Sequence, residues 1–518
     1  MSSHTSLSFL SKLAFGLLGT GLLSTGSAAS IPRRNTPGPR SAIAVKLNPG
    51  SKSSRSTTSS LSGAELLESL VKSAQESSGS RKRNIDFQVL PLITTLSPER
   101  LDALVEKATK LDPTYEPTDF KTWYQVDFTD PSNSEEDDYP PEIAHILKTL
   151  SGDQEVASAE RLISAPEPRY MGKRSLDVTD DVMFRRQGYL GGEESGGIAV
   201  NYAWGFEGGD GAGTTIIDIE GGWNLDHEDL AGANITLMGG VNHKEDAGSY
   251  SHGTAVLGQL FMQDNSVGGV GIVPGARGGV VSRMRHDDDS TELVTNQPEA
   301  IFDAVDNLEF GDIILLEMQT GDNFDNYYPI EIYDAEFDAI RLATALGITV
   351  IEAAGNGGPI EQGGWERRGM NMDEPIIRWQ ETTPVNYLNR SHPDFRDSGA
   401  IVVGASSSSR PHQRMDYSNY GSRVDVFSWG ENVATSDVNG EIENGIYTYL
   451  FSGTSSASPI IAGAAASIQG MVYAMRGSKL SPAEMREMIV LGGSQSANPS
   501  EDKIGVQPNL KAIINGHL

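Results

Sequence analysis

A chain of 518 residues exceeds one ordinary domain, and its 38% hydrophobic content is enough for a sizeable core. It has no cysteine, which excludes disulfides, zinc–thiolate sites and cysteine nucleophiles. A formal charge of −30 argues against nucleic acid and anionic membranes as partners, and solubility is its simplest use.

The chain opens with Lys12, an apolar run from Leu13 to Leu23, and the small residues Ser27, Ala28 and Ala29. That layout predicts a signal peptide over 1–29, too short to span a bilayer, and a secreted, extracellular product. Residues 30–83 are rich in Ser, Pro, Gly and basic side chains, with one helical candidate from Gly63 to Ser73. Little apolar surface is available there, so this segment is expected to be disordered up to Arg81-Lys82-Arg83. From 84 to 174 the pattern reads as a small α+β domain. It has strands at Ile85–Thr94, Trp123–Phe128 and Val156–Ile163, and helices at Ser97–Lys110 and Pro141–Leu150.

After Lys173-Arg174 a main domain over 175–518 alternates apolar strands with helices. Strands are expected at Thr214–Ile217, Ile313–Leu316, Ile348–Ala353, Ala400–Gly404 and Val424–Phe427. Helices are expected at His252–Met262, Ile332–Leu346 and Ser455–Met475. Continuous apolar strands separated by helices predict an α/β fold, a mostly parallel, doubly wound sheet. After the N-terminal run, no segment is expected to be long enough to cross a membrane.

Four segments carry chemistry. Asp218 ends an apolar strand, where open α/β sheets place their ligand crevice, although such an Asp also serves as a turn or cap. His252 opens a helix of small residues in which Gly253 and Gly258 permit close backbone approach. His227, crowded by Asp226, Glu228 and Asp229, is the rival base. Asn356 ends another strand and has either a turn-forming or an oxyanion-donating use. Ser455 sits at a helix start, where it is either an N-cap or a nucleophile beside the positive end of the helix.

Taken together these segments resemble the subtilase family of serine endopeptidases. Ile217-Asp218 through His227-Glu228-Asp229-Leu230, His252 to Gly258, Ala353 to Asn356, and Gly453 to Pro459 follow the family's patterns in the family's order, over roughly residues 180 to 475. The resemblance implies a subtilisin-like fold and an Asp218–His252–Ser455 triad acting through an acyl-enzyme, with Asn356 as oxyanion donor. It implies that 84–174 is a propeptide, with cleavage after Arg174 as a candidate. It also implies polypeptide substrates held at Gln319, Thr320, Gly321, Ala353, Ala354 and Gly355. Asp229 and the loop containing Asn265 resemble a structural calcium site of some members, with oxygen ligands of the expected type. A monomer is expected, and no cofactor for catalysis.

The chain departs from the family at several points. Ile219 replaces the usual hydroxyl residue after the catalytic Asp, and the step from Asp218 to His227 is two residues longer than the commonest form. Ala255 replaces a second His. Glu317 to Gly321 replaces the usual Ser-Leu-Gly edge, and Pro359 to Ser398 reads as an insertion beside the cleft. Asn234 and Asn389 head glycosylation sequons. A catalytically inactive, peptide-binding relative is the competing expectation.

Overall fold

A computed structural model of the chain describes residues 41–48, 62–77, 85–129, 141–162, 182–286, 293–322, 324–360, 366–379, 381–438 and 445–518. The leader expected at 1–29 and the expected cleavage point at Arg174 lie outside these residues.

The N-terminal unit begins earlier than composition suggests. Its four-stranded antiparallel sheet runs in the order Asp86–Pro91, Trp123–Thr129, Ser41–Leu47, Val156–Leu162. Ser41–Leu47 is therefore an inner strand, drawn from the segment expected to be disordered. Its alternation explains the placement: Ile43, Val45 and Leu47 pack against the helices Gly63–Ser77 and Pro141–Ser151. Ala42 and Ala44 point to the other face. A division at Asn84 would remove an inner strand and a helix from this unit.

The alanine face lets the sheet approach two helices of the main domain, Gln297–Asp306 and Asp334–Ala345. Polar contacts set the register. Glu160 accepts from the backbone N–H groups of Asp334 (2.9 Å) and Ala335 (2.8 Å) at a helix start, where a carboxylate satisfies otherwise unpaired donors. Glu299 accepts from the backbone N–H of Thr94 at 2.7 Å. Asn296 donates to the Leu92 carbonyl at 2.9 Å.

The main domain is built on a nine-stranded sheet. Its order is Ser494–Gln495, Val506–Gln507, Val426–Trp429, Ile401–Ser406, Thr349–Ala353, Ile313–Leu316, Thr215–Glu220, Arg277–Ser282, Thr236–Gly239. All pairings are parallel except the one between Ser494–Gln495 and Val506–Gln507. Arg277–Ser282 was not expected as a strand, because Gly278 and Gly279 dilute its apolar signal.

Along Thr215–Glu220 the side chains alternate between two cores. Ile216 joins the helices Ala247–Phe261 and Thr454–Arg476, whereas Ile217 and Ile219 join Gln297–Asp306 and Asp334–Ala345. The chain leaves Thr215–Glu220 for one side of the sheet and later returns on the other side as Ile313–Leu316. The C-terminal ends of these two strands therefore form a topological switch point, where open α/β sheets bind ligands. Thr454–Arg476 is long and apolar enough to cross a membrane, contrary to the sequence expectation. Here it is a core helix, buried from Thr454 to Val472.

Candidate active site

Glu220, not Asp218, meets the imidazole. The strand runs to Glu220, and side chains two apart share a face, so both carboxylates point toward the helix carrying His252. Only the later one reaches the strand's open end. Glu220 Oε2 lies 2.8 Å from His252 Nδ1, with both side chains buried. Asp218 Oδ2 instead accepts from Trp223 Nε1 at 2.7 Å. The contact expected of Asp218 belongs to Glu220, because the acid sits two residues farther along the strand.

Gly253 explains how close the helix comes. A Cβ there would lie 2.4 Å from the Gly222 carbonyl oxygen and 2.6 Å from the Trp223 ring. The His252 ring stands edge-on to Phe451 at 5.4 Å. Its Nε2 is buried and has no hydrogen-bond partner.

Ser455 is the second residue of the Thr454–Arg476 helix, entered through Gly453 at φ 110°. That positive φ favours glycine, and it turns the chain sharply into the helix. Ser455 Oγ is buried and, like His252 Nε2, has no partner. As an early helical residue it also has a backbone N–H without an intrahelical acceptor. Asn356 Oδ1 accepts from Thr454 through the backbone N–H (2.9 Å) and the hydroxyl (3.0 Å). With the oxygen held, the Asn356 side-chain nitrogen is the end left to donate. The backbone N–H of Asn356 donates to the Gln319 side chain at 3.0 Å, tying this loop to the segment that follows Ile313–Leu316.

His227, the rival base, is engaged elsewhere. Its Nε2 lies 2.8 Å from the Ile446 carbonyl, and its Nδ1 accepts from the Asp229 N–H at 3.2 Å. Burial pushes its pKa down.

The Subtilase family matches residues 211–503, more than half of the chain. The chain belongs to the subtilase family of serine endopeptidases. Among solved structures, fervidolysin from Fervidobacterium pennivorans, a keratinolytic enzyme related to subtilisin, is similar at 14% identity and a TM-score of 0.55. That similarity covers 92% of this chain and 61% of that one. The maturation protease PagA matches at 20% identity and a TM-score of 0.41, covering 61% and 97%. A cold adapted subtilisin-like serine proteinase matches at 21% and 0.39, covering 58% and 90%. No curated protein matches the sequence.

This subtilase has one buried acid that sequence reading treated only as part of the substrate edge. Glu317 follows Ile313–Leu316, and the register of that strand sets it beside Glu220. Its carboxyl is hydrogen-bonded to Ser458, one turn beyond Ser455. Burial and the charge of Glu220 hold its pKa well above the ordinary carboxylate range. An acid directly after an apolar strand was the available signal. The expected substrate residues follow two adjacent parallel strands: Gln319, Thr320 and Gly321 come after Ile313–Leu316, and Ala353, Ala354 and Gly355 lie at and beyond the end of Thr349–Ala353.

The two residues expected as calcium ligands, Asp229 and Asn265, each carry hydrogen bonds within the protein. Asn265 Oδ1 accepts from the Val267 N–H of its own loop at 2.9 Å. Asp229 is buried, one oxygen accepting from the Gly269 N–H at 2.9 Å. Burial raises its pKa to about 7. Among the described residues no group of three His, Asp or Glu side chains is placed to hold a metal.

Proposed function

We propose that this subtilase hydrolyses peptide bonds with Ser455 as nucleophile, His252 as general base and Glu220 as the orienting carboxylate. Ser455 Oγ attacks the scissile carbonyl carbon and its proton passes to His252 Nε2. Glu220 holds the proton on Nδ1, fixing the tautomer that leaves Nε2 free to accept, and stabilises the imidazolium that follows. The oxyanion is met by the Asn356 side-chain nitrogen and the Ser455 backbone N–H at the positive end of the helix. His252 then returns the proton to the leaving amine, and water releases the acyl group by the reverse path.

The observation that carries this reading is the buried 2.8 Å contact between Glu220 and His252 Nδ1, with Nε2 and Ser455 Oγ both unpartnered. Such catalytic hydrogen bonds are often long until substrate binds. Labelling by a fluorophosphonate tests the reading. Wild type should react and Ser455→Ala should not; a folded wild type that stays unlabelled would favour the inactive, peptide-binding relative.

The N-terminal unit over 41–162 is proposed as a propeptide, supported by its seat on the two main-domain helices. Its separation from the main domain by cleavage near Arg174, after secretion directed by residues 1–29, is part of the same proposal. Edman sequencing of active secreted protein should give an N-terminus beyond residue 162. An active enzyme that retains the unit covalently would remove it. Glycosylation is proposed for Asn234, which is exposed. At Asn389 the amide nitrogen donates to the Asp373 carbonyl at 2.8 Å, and a glycan there would break that bond.

A further inference from the structure

We infer that the hairpin joining Thr320–Gly321 to Tyr327–Tyr328 fills the side-chain pocket beside the scissile bond, so that the enzyme cuts after glycine or alanine and rejects bulky residues. The inference rests on the triad reading above, which fixes where the scissile carbonyl lies. With that carbonyl between Ser455 and Asn356, the side chain of the residue donating it is proposed to lie between 319–321 and 353–355, the segments that follow two adjacent parallel strands.

A third backbone segment occupies that gap. Tyr327–Tyr328 pairs antiparallel with Thr320–Gly321 on one side. On the other side the Tyr327 N–H donates to the Gly357 carbonyl at 3.0 Å. Asn419 Nδ2 donates to both the Tyr327 and Ala354 carbonyls at 2.7 Å, clamping the segment to the oxyanion strand. Neighbouring strands sit about 4.8 Å apart, so a strand bonded on both sides leaves no width for an aromatic or long aliphatic side chain.

Close packing supports the same conclusion. A Cβ on Gly355 would lie 3.0 Å from the Tyr327 carbonyl oxygen. Tyr328 is buried in one cluster with Ala354. Arg367 covers the outer side: its guanidinium lies 3.9 Å over the Tyr327 ring. It also donates to the carbonyls of Asn356 (3.2 Å) and Gly357 (2.8 Å). The hairpin is thus held to both walls by backbone bonds and pinned from outside by a cation, which makes it part of the wall rather than a lid.

The test uses the active enzyme recovered after expression of the whole chain, titrated with a fluorophosphonate, on tetrapeptide p-nitroanilides ending in Ala, Leu, Phe or Arg. One methylene in a specificity pocket is worth about 10–200-fold. Wild type should therefore favour Ala over Phe by at least about 100-fold in kcat/KM. Replacing residues 322–327 with Gly-Gly should shift the ratio toward Leu and Phe by at least about tenfold. A titratable wild type that cleaves after Phe or Arg within about tenfold of Ala overturns the inference without touching the triad. So does a titratable opened variant with an unchanged profile. If the opened variant fails to titrate, the wild-type profile alone decides. A wild type that does not titrate at all refutes the triad reading instead.

Discussion

Exchange of Glu220 for glutamine separates the two candidate acids. Glu220 Oε2 is 2.8 Å from His252 Nδ1, and both groups are shut off from water, so no solvent molecule replaces the lost charge. Glutamine keeps the shape but presents either an N–H against the Nδ1 proton or an oxygen without its charge. The amide then favours the tautomer with its proton on Nε2, which cannot accept from Ser455. The comparable acid-to-amide change in serine protease triads costs about 10⁴ in kcat, or roughly 5.4 kcal/mol of transition-state stabilisation. Glu220→Asp withdraws the carboxylate by one methylene and should cost about 10². Asp218→Asn should cost less than about tenfold, because an amide oxygen still accepts from Trp223 Nε1. Kinetics on a chromogenic peptide, with circular dichroism to verify folding, reads all three. The reasoning fails if Asp218→Asn loses as much activity as Glu220→Gln, or if Glu220→Gln stays within about tenfold of wild type.

Three further outcomes follow from the geometry. Asn356→Ala should lower kcat by about 10²–10³ with little change in KM, as expected for a donor used mainly in the transition state; a KM effect alone would point to substrate binding. Gly253→Ala should destabilise by about 1–3 kcal/mol in thermal or denaturant unfolding, since its Cβ would meet backbone at 2.4 Å; an unchanged midpoint would mean that the helix shifts freely. Asp229, with its pKa raised to about 7, binds its proton more tightly folded than unfolded. Its contribution to stability is therefore full below the ordinary Asp range and is lost as pH rises through about 7. Asp229→Asn should match wild type near pH 4 and exceed it near pH 8 by up to about 4 kcal/mol. The opposite trend, or stabilisation of wild type by added calcium, would support Asp229 as a metal ligand.

Much of the site was legible from local residue order. His252 to Gly258, Ala353 to Asn356 and Gly453 to Pro459 each carry their geometry within a few residues: a helix start, a strand end, a glycine-mediated entry. The acid was different. Asp218 and Glu220 share a face of one strand, so alternation gave no means of choosing between them. The two-residue excess between Asp218 and His227 was the clue, because counting from Glu220 removes it. The strand Ser41–Leu47 was hidden by its serine- and basic-rich surroundings, although Ile43, Val45 and Leu47 alternate plainly.

Residue types and order by themselves determined the α/β class and the family resemblance, and they singled out His252, Ser455 and Asn356 as the proposed base, nucleophile and oxyanion donor. Tertiary structure decided which carboxylate reaches the imidazole, that Asp229 is buried, and that Tyr327–Tyr328 is bonded to Thr320–Gly321 on one side and to Gly357 on the other. These depend on where strands end and how far helices approach across the sheet. Such distances are set by packing among residues far apart in the chain.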